Sequence, residues 1–249
     1  MFLKGFFIQT AKGILIRTPK RIALFFTFLK EKNAFKKLND GRFTVLTKDI
    51  YPCLNDRVTT TPFDSHYIYH PAWAARILAK TKPSSHADFS SILSFSSIVS
   101  AFIPTKFYDY RPANLNLTNW EGDFADLCNL DLADSSFTSV SCMHTVEHIG
   151  LGRYGDALDP KGDIKAINEL QRITASNGDI LFVTPVGKQR IEYNAHRIYS
   201  FELVIELFAH CTLQEFSLVT DEGVFSNNAE STLVQQQQYG CGCFWFKKI

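Results

Sequence analysis

The chain has 249 residues, enough for one large domain with an appendage and a sizeable core. Hydrophobic residues make up 45% and charged residues 20%, a globular balance that excludes global disorder. A net charge of +1 excludes a whole-protein pull toward nucleic acid. Cys53, Cys128, Cys142, Cys211, Cys241 and Cys243 form no repeated CxxC pairs and are expected as reduced thiols of a cytoplasmic protein. Cys241 and Cys243 read as small packing residues of a strand, with metal binding or a disulfide as alternatives.

Residues 1–38 form a basic, aromatic-rich segment in which Glu31 is the single acid, and they are expected to be helical and amphipathic. Its apolar runs fall short of the ~20 residues of a membrane span, and no small-residue cleavage site marks a signal peptide. Such a helix lies in an anionic membrane interface or packs its greasy face on the domain or a partner. Residues 39–70 read as a polar connector with one short strand at 43–47. Residues 71–80 (PAWAARILAK) predict a helix with Pro71 in its first turn. From there to residue 249, short apolar strands alternate with helical stretches, the pattern of a parallel sheet wrapped by helices.

Residues 86–95 (HADFSSILSF) read as a strand, a turn and the start of a helix spanning 90–101, with Asp88 either a ligand-binding acid or the cap of that helix. Residues 106–110 (KFYDY) form a second strand ending in Asp109, which lies 21 residues after Asp88. That matches the ~20-residue separation between a nucleotide-binding turn and its ribose acid; a turn aspartate before Arg111 and Pro112 is the alternative. Residues 122–130 (GDFADLCNL) give an acidic turn, and 137–143 a buried strand. After MHTVEHI (143–149) come a helix at 166–173 (AINELQRI), a turn at Asn177 and Gly178, a strand at 179–185 (DILFVTP) and a helix entry at 195–203 (AHRIYSFEL).

In this order the segments resemble the class I S-adenosylmethionine-dependent methyltransferases. They also resemble a family of uncharacterised proteins with that core, some associated with bacterial surface-polysaccharide genes. The resemblance covers roughly the last two-thirds of the chain. It implies an α/β, Rossmann-like, mainly parallel sheet with helices on both faces, and S-adenosylmethionine as cofactor. It places Asp88 and Ser90 at the first cofactor turn, Asp109 on the ribose hydroxyls, Asp126 and Leu127 around the adenine, and His144 toward the cofactor. Ser90, Ile92 and Ser94 stand where that family has glycines, so either the hydroxyls replace backbone contacts or cofactor affinity is reduced or lost.

His144-x-x-Glu147-His148 also fits the inverted zincin pattern, which the surrounding methyltransferase-like segments argue against. Within the resemblance, members that methylate hydroxyls hold a divalent ion through a Glu-x-x-Glu-His motif and a later histidine. His144, Glu147, His148 and His196 occupy those places. Histidine in place of the first glutamate favours Zn²⁺, Mn²⁺ or Fe²⁺ over Mg²⁺; the alternative is that His148 and His196 are held by hydrogen bonds without metal. Either histidine is a candidate catalytic base for an acceptor proton. Residues 150–162 form a glycine-bearing loop that reads either as a cover for the substrate, with Arg153 and Tyr154 as contacts to a sugar or anion, or as an ordinary surface turn.

The expected function is a cytoplasmic methyltransferase acting on a hydroxyl of a glycan or other polar metabolite, membrane-peripheral if its N-terminal segment lies in the interface, with no nucleic-acid partner. The alternative is a catalytically degenerate binding or scaffold protein of the same fold in glycan assembly.

Overall fold

A computed structural model of the chain describes residues 19–249. It separates into two compact units that divide between Pro62 and Phe63. The expectation for residues 1–18 lies outside the described residues.

In the first unit, helix α1 spans Pro19–Leu38, with Lys36 and Lys37 in its last turn, where they complement the helix dipole. Its apolar residues do not form the expected single stripe. The consecutive run from Ile22 to Leu29 winds round the helix, one residue every ~100°, and Ile22, Phe25 and Phe26 are exposed. A 3-10 turn at Thr47–Asp49 overlaps the end of the stretch expected as a strand. No described helix is long and apolar enough to cross a membrane.

In the second unit, α2 spans Ser65–Thr81 and starts six residues earlier than the sequence suggested. Asp64 accepts a hydrogen bond from the Tyr67 N–H (3.2 Å) and supplies the N-cap. Pro71 therefore sits inside the helix, where it deprives the Tyr67 carbonyl of a helical donor. Lys82, left-handed at φ 48°, ends the helix.

The elements that follow are β1 (His86–Phe89), α3 (Leu93–Val99), β2 (Thr105–Asp109), β3 (Trp120–Phe124), β4 (Phe137–Met143), α4 (Gly162–Ile173), β5 (Thr174–Val186), the hairpin β6 (Arg190–Glu192) and β7 (His196–Ile198), α5 (Phe201–Leu207), β8 (Cys211–Val219), β9 (Phe225–Ser226) and β10 (Gly240–Lys248). One sheet has the order β3-β2-β1-β4-β5-β10-β8-β9. The first five strands are parallel, and β10 runs antiparallel between β5 and β8. Between β2 and β3, and between β3 and β4, the connections carry no helix.

Alternation along each strand divides the core into two layers. Phe182 of β5 and Phe244 and Phe246 of β10 face α4 and α5 with Leu170 and Phe208; Leu181, Val183, Cys241, Cys243 and Trp245 face α2 and α3 with Trp73, Leu78 and Phe95. Phe208 stacks on Phe246 at 4.3 Å between ring centres and lies 4.8 Å from Phe182. Each such buried phenylalanine contributes about 1.5–3 kcal/mol through burial. Trp73 ties α2 to the sheet by donating from Nε1 to Glu215 at 2.8 Å. All the candidate residues from Asp88 to His196 belong to this unit, most of them at the carboxyl ends of β1, β2 and β4.

Candidate functional site

The first turn, between β1 and α3, keeps the conformation that glycine would supply. Ser90 has φ 56°, in the left-handed region that costs a non-glycine residue about 1–2 kcal/mol. It is held there by three bonds. Its N–H and its Oγ both donate to the Tyr108 carbonyl (2.8 and 3.2 Å), and its own carbonyl accepts from Thr145 Oγ1 (2.9 Å). The helix beyond spans Leu93–Val99, shorter than expected, and Ile92 at its start offers no side-chain cap.

Asp88 does not cap that helix, because it lies inside β1 and is fully buried. Ser141 Oγ donates to its Oδ1 at 2.5 Å, while Oδ2 has no partner among the described residues. Burial pushes its pKa up to about 7; Ser141 and Ser91 pull the other way. The chain of contacts continues from Ser141 Oγ to His86 Nε2 (2.9 Å) and from His86 Nδ1 to Ser139 Oγ (2.9 Å). Burial lowers the pKa of His86 to about 3, so its ring is neutral.

Asp109 ends β2 and is half-buried; its Oδ1 accepts from the Arg111 N–H at 2.7 Å, which leaves Oδ2 to accept from a ligand. Asp126 is exposed, and its Oδ1 accepts from the Cys128 N–H at 2.9 Å. Leu127 is 7% exposed and packs into the layer of α4 and α5, so the residue expected beside the adenine is mostly a core residue.

After β4 the chain does not open into an α-helix. His144 is left-handed at φ 56°, and residues Val146–His148 form one 3-10 turn. His144 and His148 therefore do not share a helical face, which removes the inverted zincin arrangement. His144 Nδ1 donates to Glu147 Oε1 (3.0 Å), and His148 Nε2 lies 3.7 Å from the same oxygen. Glu147 is 1% exposed, and its Oε2, like His144 Nε2, has no partner among the described residues. Burial opposes charge on His144, but the neighbouring Cys241 and Glu147 raise its pKa above the usual histidine value.

His148 is oriented by the hairpin. Its Nδ1 lies 2.6 Å from the Ala195 carbonyl, which also accepts from Arg153 Nη1 at 3.1 Å. Arg153 Nη1 also lies 3.1 Å from Nδ1, but the carbonyl contact is the shorter by half an ångström and would repel a lone pair, so we assign the proton to Nδ1 and the free lone pair to Nε2. Burial lowers the pKa of His148. His196 turns elsewhere: its Nε2 meets Glu192 Oε2 at 3.1 Å, and its ring centre is 6.3 Å from that of His148. Among the described residues, His144, Glu147, His148 and His196 do not bring four donor atoms to one point.

The loop at 150–162 is fastened rather than loose. Asp156 accepts from the N–H groups of Gly150 (2.8 Å), Gly152 (3.3 Å) and Tyr154 (3.1 Å), and these three bonds outweigh burial to lower its pKa. Buried Arg197 donates to the Ile149 carbonyl at 2.6 Å and lies 3.5 Å from Asp163. The Tyr154 ring lies under two guanidinium groups, Arg111 at 4.7 Å and Arg153 at 5.1 Å.

Some residues at this edge were not singled out in the sequence. His66 stacks on His144 (5.6 Å) and on Tyr239 (5.3 Å), Tyr67 stacks on His144 (5.4 Å), and His70 meets His144 edge-on (5.1 Å). Burial first, and then His144, lower His66 to about 4 and His70 to about 3. The i, i+4 pair in His66-Tyr-Ile-Tyr-His70 is a visible signal, hidden by assigning those residues to the connector.

A family model described as Caenorhabditis protein of unknown function, DUF268, matches residues 121–239, slightly under half of the chain. No curated protein matches. The YcgJ protein from Bacillus subtilis is 12% identical, with a TM-score of 0.50 over 71% of this chain and 98% of that one. A "putative methyltransferase" from Bacillus halodurans is 11% identical, with a TM-score of 0.50 over 72% of this chain and 98% of that one. A "putative sarcosine dimethylglycine methyltransferase" from Galdieria sulphuraria is also 11% identical, with a TM-score of 0.50 over 72% and 84% of the two chains. The chain thus has the Rossmann-like, methyltransferase-type fold: a mostly parallel central sheet with helices on both faces. At these identities the likeness concerns the fold alone.

Proposed function

We propose that this chain is an S-adenosylmethionine-dependent methyltransferase acting on a hydroxyl of a glycan or another polar metabolite. The observation that carries the reading is the Ser90 turn, which keeps a left-handed backbone without glycine at the edge where Asp109 ends β2. A turn held in a disfavoured conformation by three hydrogen bonds is over-determined, the kind of strain that the surrounding structure keeps at a ligand-binding edge. Ser90 and Asp109 would hold the cofactor, with Asp88 beneath the turn and Asp126 and the edge of Leu127 toward its base. When bound, the cofactor supplies an electrophilic methyl group on a sulfonium.

The chain's own contribution is positioning and proton transfer. His148 presents a neutral Nε2 to an acceptor hydroxyl, its ring fixed by the Ala195 carbonyl. Once it takes the proton, the Glu147 carboxylate, 3.7 Å from Nε2, stabilises the charged ring. Arg111 and Arg153 over the Tyr154 ring form a cationic and aromatic edge that suits a polyhydroxylated or anionic acceptor. The reading includes a cytoplasmic protein whose basic N-terminal segment touches anionic membranes; deleting residues 1–38 should release it from anionic vesicles.

One observation favours the scaffold alternative: Asp109 and Asp126 each already accept from a backbone N–H of their own turn. Calorimetry with S-adenosylmethionine and S-adenosylhomocysteine separates the two. Binding is expected, and Asp109→Ala should weaken it by about 1–3 kcal/mol, the cost of a lost charged hydrogen bond. Neither heat nor a thermal shift at millimolar ligand would overturn the enzyme and leave the scaffold.

A further inference from the structure

We propose that His66, His144 and Cys241 form a binding site for a thiophilic divalent transition metal, with Zn²⁺ the best match. The three residues come from three elements: the first turn of α2, the residue after β4, and β10 opposite Pro185 of β5. One imidazole nitrogen from each histidine and the Cys241 Sγ all lie within 4.8 Å of one another. Zn–N bonds of ~2.0–2.1 Å and a Zn–S bond of ~2.3 Å define tetrahedral edges of about 3.3–3.6 Å, so closing the gap takes about an ångström of side-chain rotation.

A second observation points to a ligand. His144 is 9% exposed, and its Nε2 is a buried polar atom without a hydrogen-bond partner among the described residues. The opposite ring nitrogen, Nδ1, is engaged by Glu147 Oε1 at 3.0 Å. A carboxylate behind one imidazole nitrogen, with the other nitrogen aimed at a cysteine, is the outer arrangement that orients metal-ligating histidines and raises their basicity. Mixed nitrogen and sulfur donors select Zn²⁺ and related ions and disfavour Mg²⁺ and Ca²⁺.

Three protein ligands leave a fourth tetrahedral position, the pattern of metal sites that bind water or substrate. His66 is half-buried, and Tyr239 beside it is 37% exposed, so an ion can enter from the His66 side. The ligand set differs from the one suggested by sequence, in which Glu147, His148 and His196 were to join His144. Here Glu147 backs the site, and His148 and His196 stand outside it. Binding exchanges protons for the ion: the Cys241 thiol proton, and any proton on His144 Nε2, pass to the buffer as the metal bonds form.

The proposal does not depend on methyl transfer, and its test needs no acceptor. Full-length, tag-free protein is stripped with chelator and titrated with Co²⁺, then with Zn²⁺ in competition. The expected result is one equivalent bound, a sulfur-to-cobalt charge-transfer band, displacement of both by Zn²⁺, and proton release measured by calorimetry in two buffers. Cys241→Ser should lose the charge-transfer band, and His66→Gln, a change on a half-buried turn that spares the core, should weaken binding at least tenfold. Cys243→Ser should keep both the band and the affinity. Absence of stoichiometric binding overturns the site. So does full affinity in His66→Gln, or a band that survives Cys241→Ser and disappears in Cys243→Ser.

Discussion

Asp88→Asn isolates the energetic role of the carboxyl group under the first turn. Asp88 is fully buried with one oxygen unpartnered, and burial raises its pKa from 3.8 to about 7. A folded-state pKa above the unfolded one means the proton stabilises the native state at low pH, and the contribution is lost as pH rises through about 7. The slope is about 1.36 kcal/mol per pH unit between the two values. From about pH 5 to about pH 8.5 the wild type should therefore lose roughly 3 kcal/mol that the Asp88→Asn variant would keep. Urea unfolding of both proteins at the two pH values gives the difference of differences, in which the unchanged His86 cancels. Asp88→Asn should gain on the wild type by roughly that amount at the higher pH. A difference that is the same at both pH values, within about 1 kcal/mol, would mean that the buried carboxylate ionises at no cost to the fold.

Gly150 has φ 78°, and a Cβ there would collide with the Asp159 carbonyl oxygen, whereas one at Gly155 (φ 85°) would meet open space. Gly150→Ala should therefore cost at least about 2 kcal/mol more than Gly155→Ala by unfolding and expose residues 150–162 to proteolysis, since only the second change is limited to ~1–2 kcal/mol of backbone strain; equal costs would count against the fastened loop. His148→Gln should lower the rate on a competent acceptor by about 10²–10⁴. Because burial depresses the pKa of His148, the wild-type rate should reach its plateau with an acid limb centred below pH 6.5, and an acid limb centred above it would contradict the base assignment. In the Asp88→Asn background, stability should fall as pH drops from about 6.5 toward 3, because His86 is held neutral by burial and the unfolded chain takes up its proton first. His86→Asn should remove the His86 share of that slope, the part left belonging to His66 and His70; if chemical denaturation shows an unchanged slope, the His86 ring is charged in the folded state.

The strands that form the middle of the sheet were legible because their residues carry the burial pattern themselves. Residues 137–143 and the apolar part of 179–185 read as buried strands, and they pair in parallel in the structure. Element starts fixed by a single cap were less visible. Pro71 looked like a helix start because proline suits the first turn, yet the Asp64 side chain had already begun the helix at Ser65. Ser90 shows a different limit. A serine in a glycine position reads as a departure, and only the bonds to Tyr108 and Thr145 show that the turn is kept. The metal suggestion assumed that nearby motif residues converge. The positive φ at His144 instead turns its ring toward residues 78 positions earlier and 97 later, His66 and Cys241, which no local pattern could supply.

β10 follows β8 in the chain but pairs between β5 and β8. Until residues 240–248 arrive, β5 and β8 each expose a row of unpaired backbone groups flanked by Phe182, Phe216 and Leu218. Such edges invite pairing with other chains, and their closure depends on contacts between distant parts of the sequence, which slows folding. The halves of the sheet should remain dependent on chaperones during synthesis, and shortening the chain upstream of Gly240 should yield an insoluble product rather than a smaller domain.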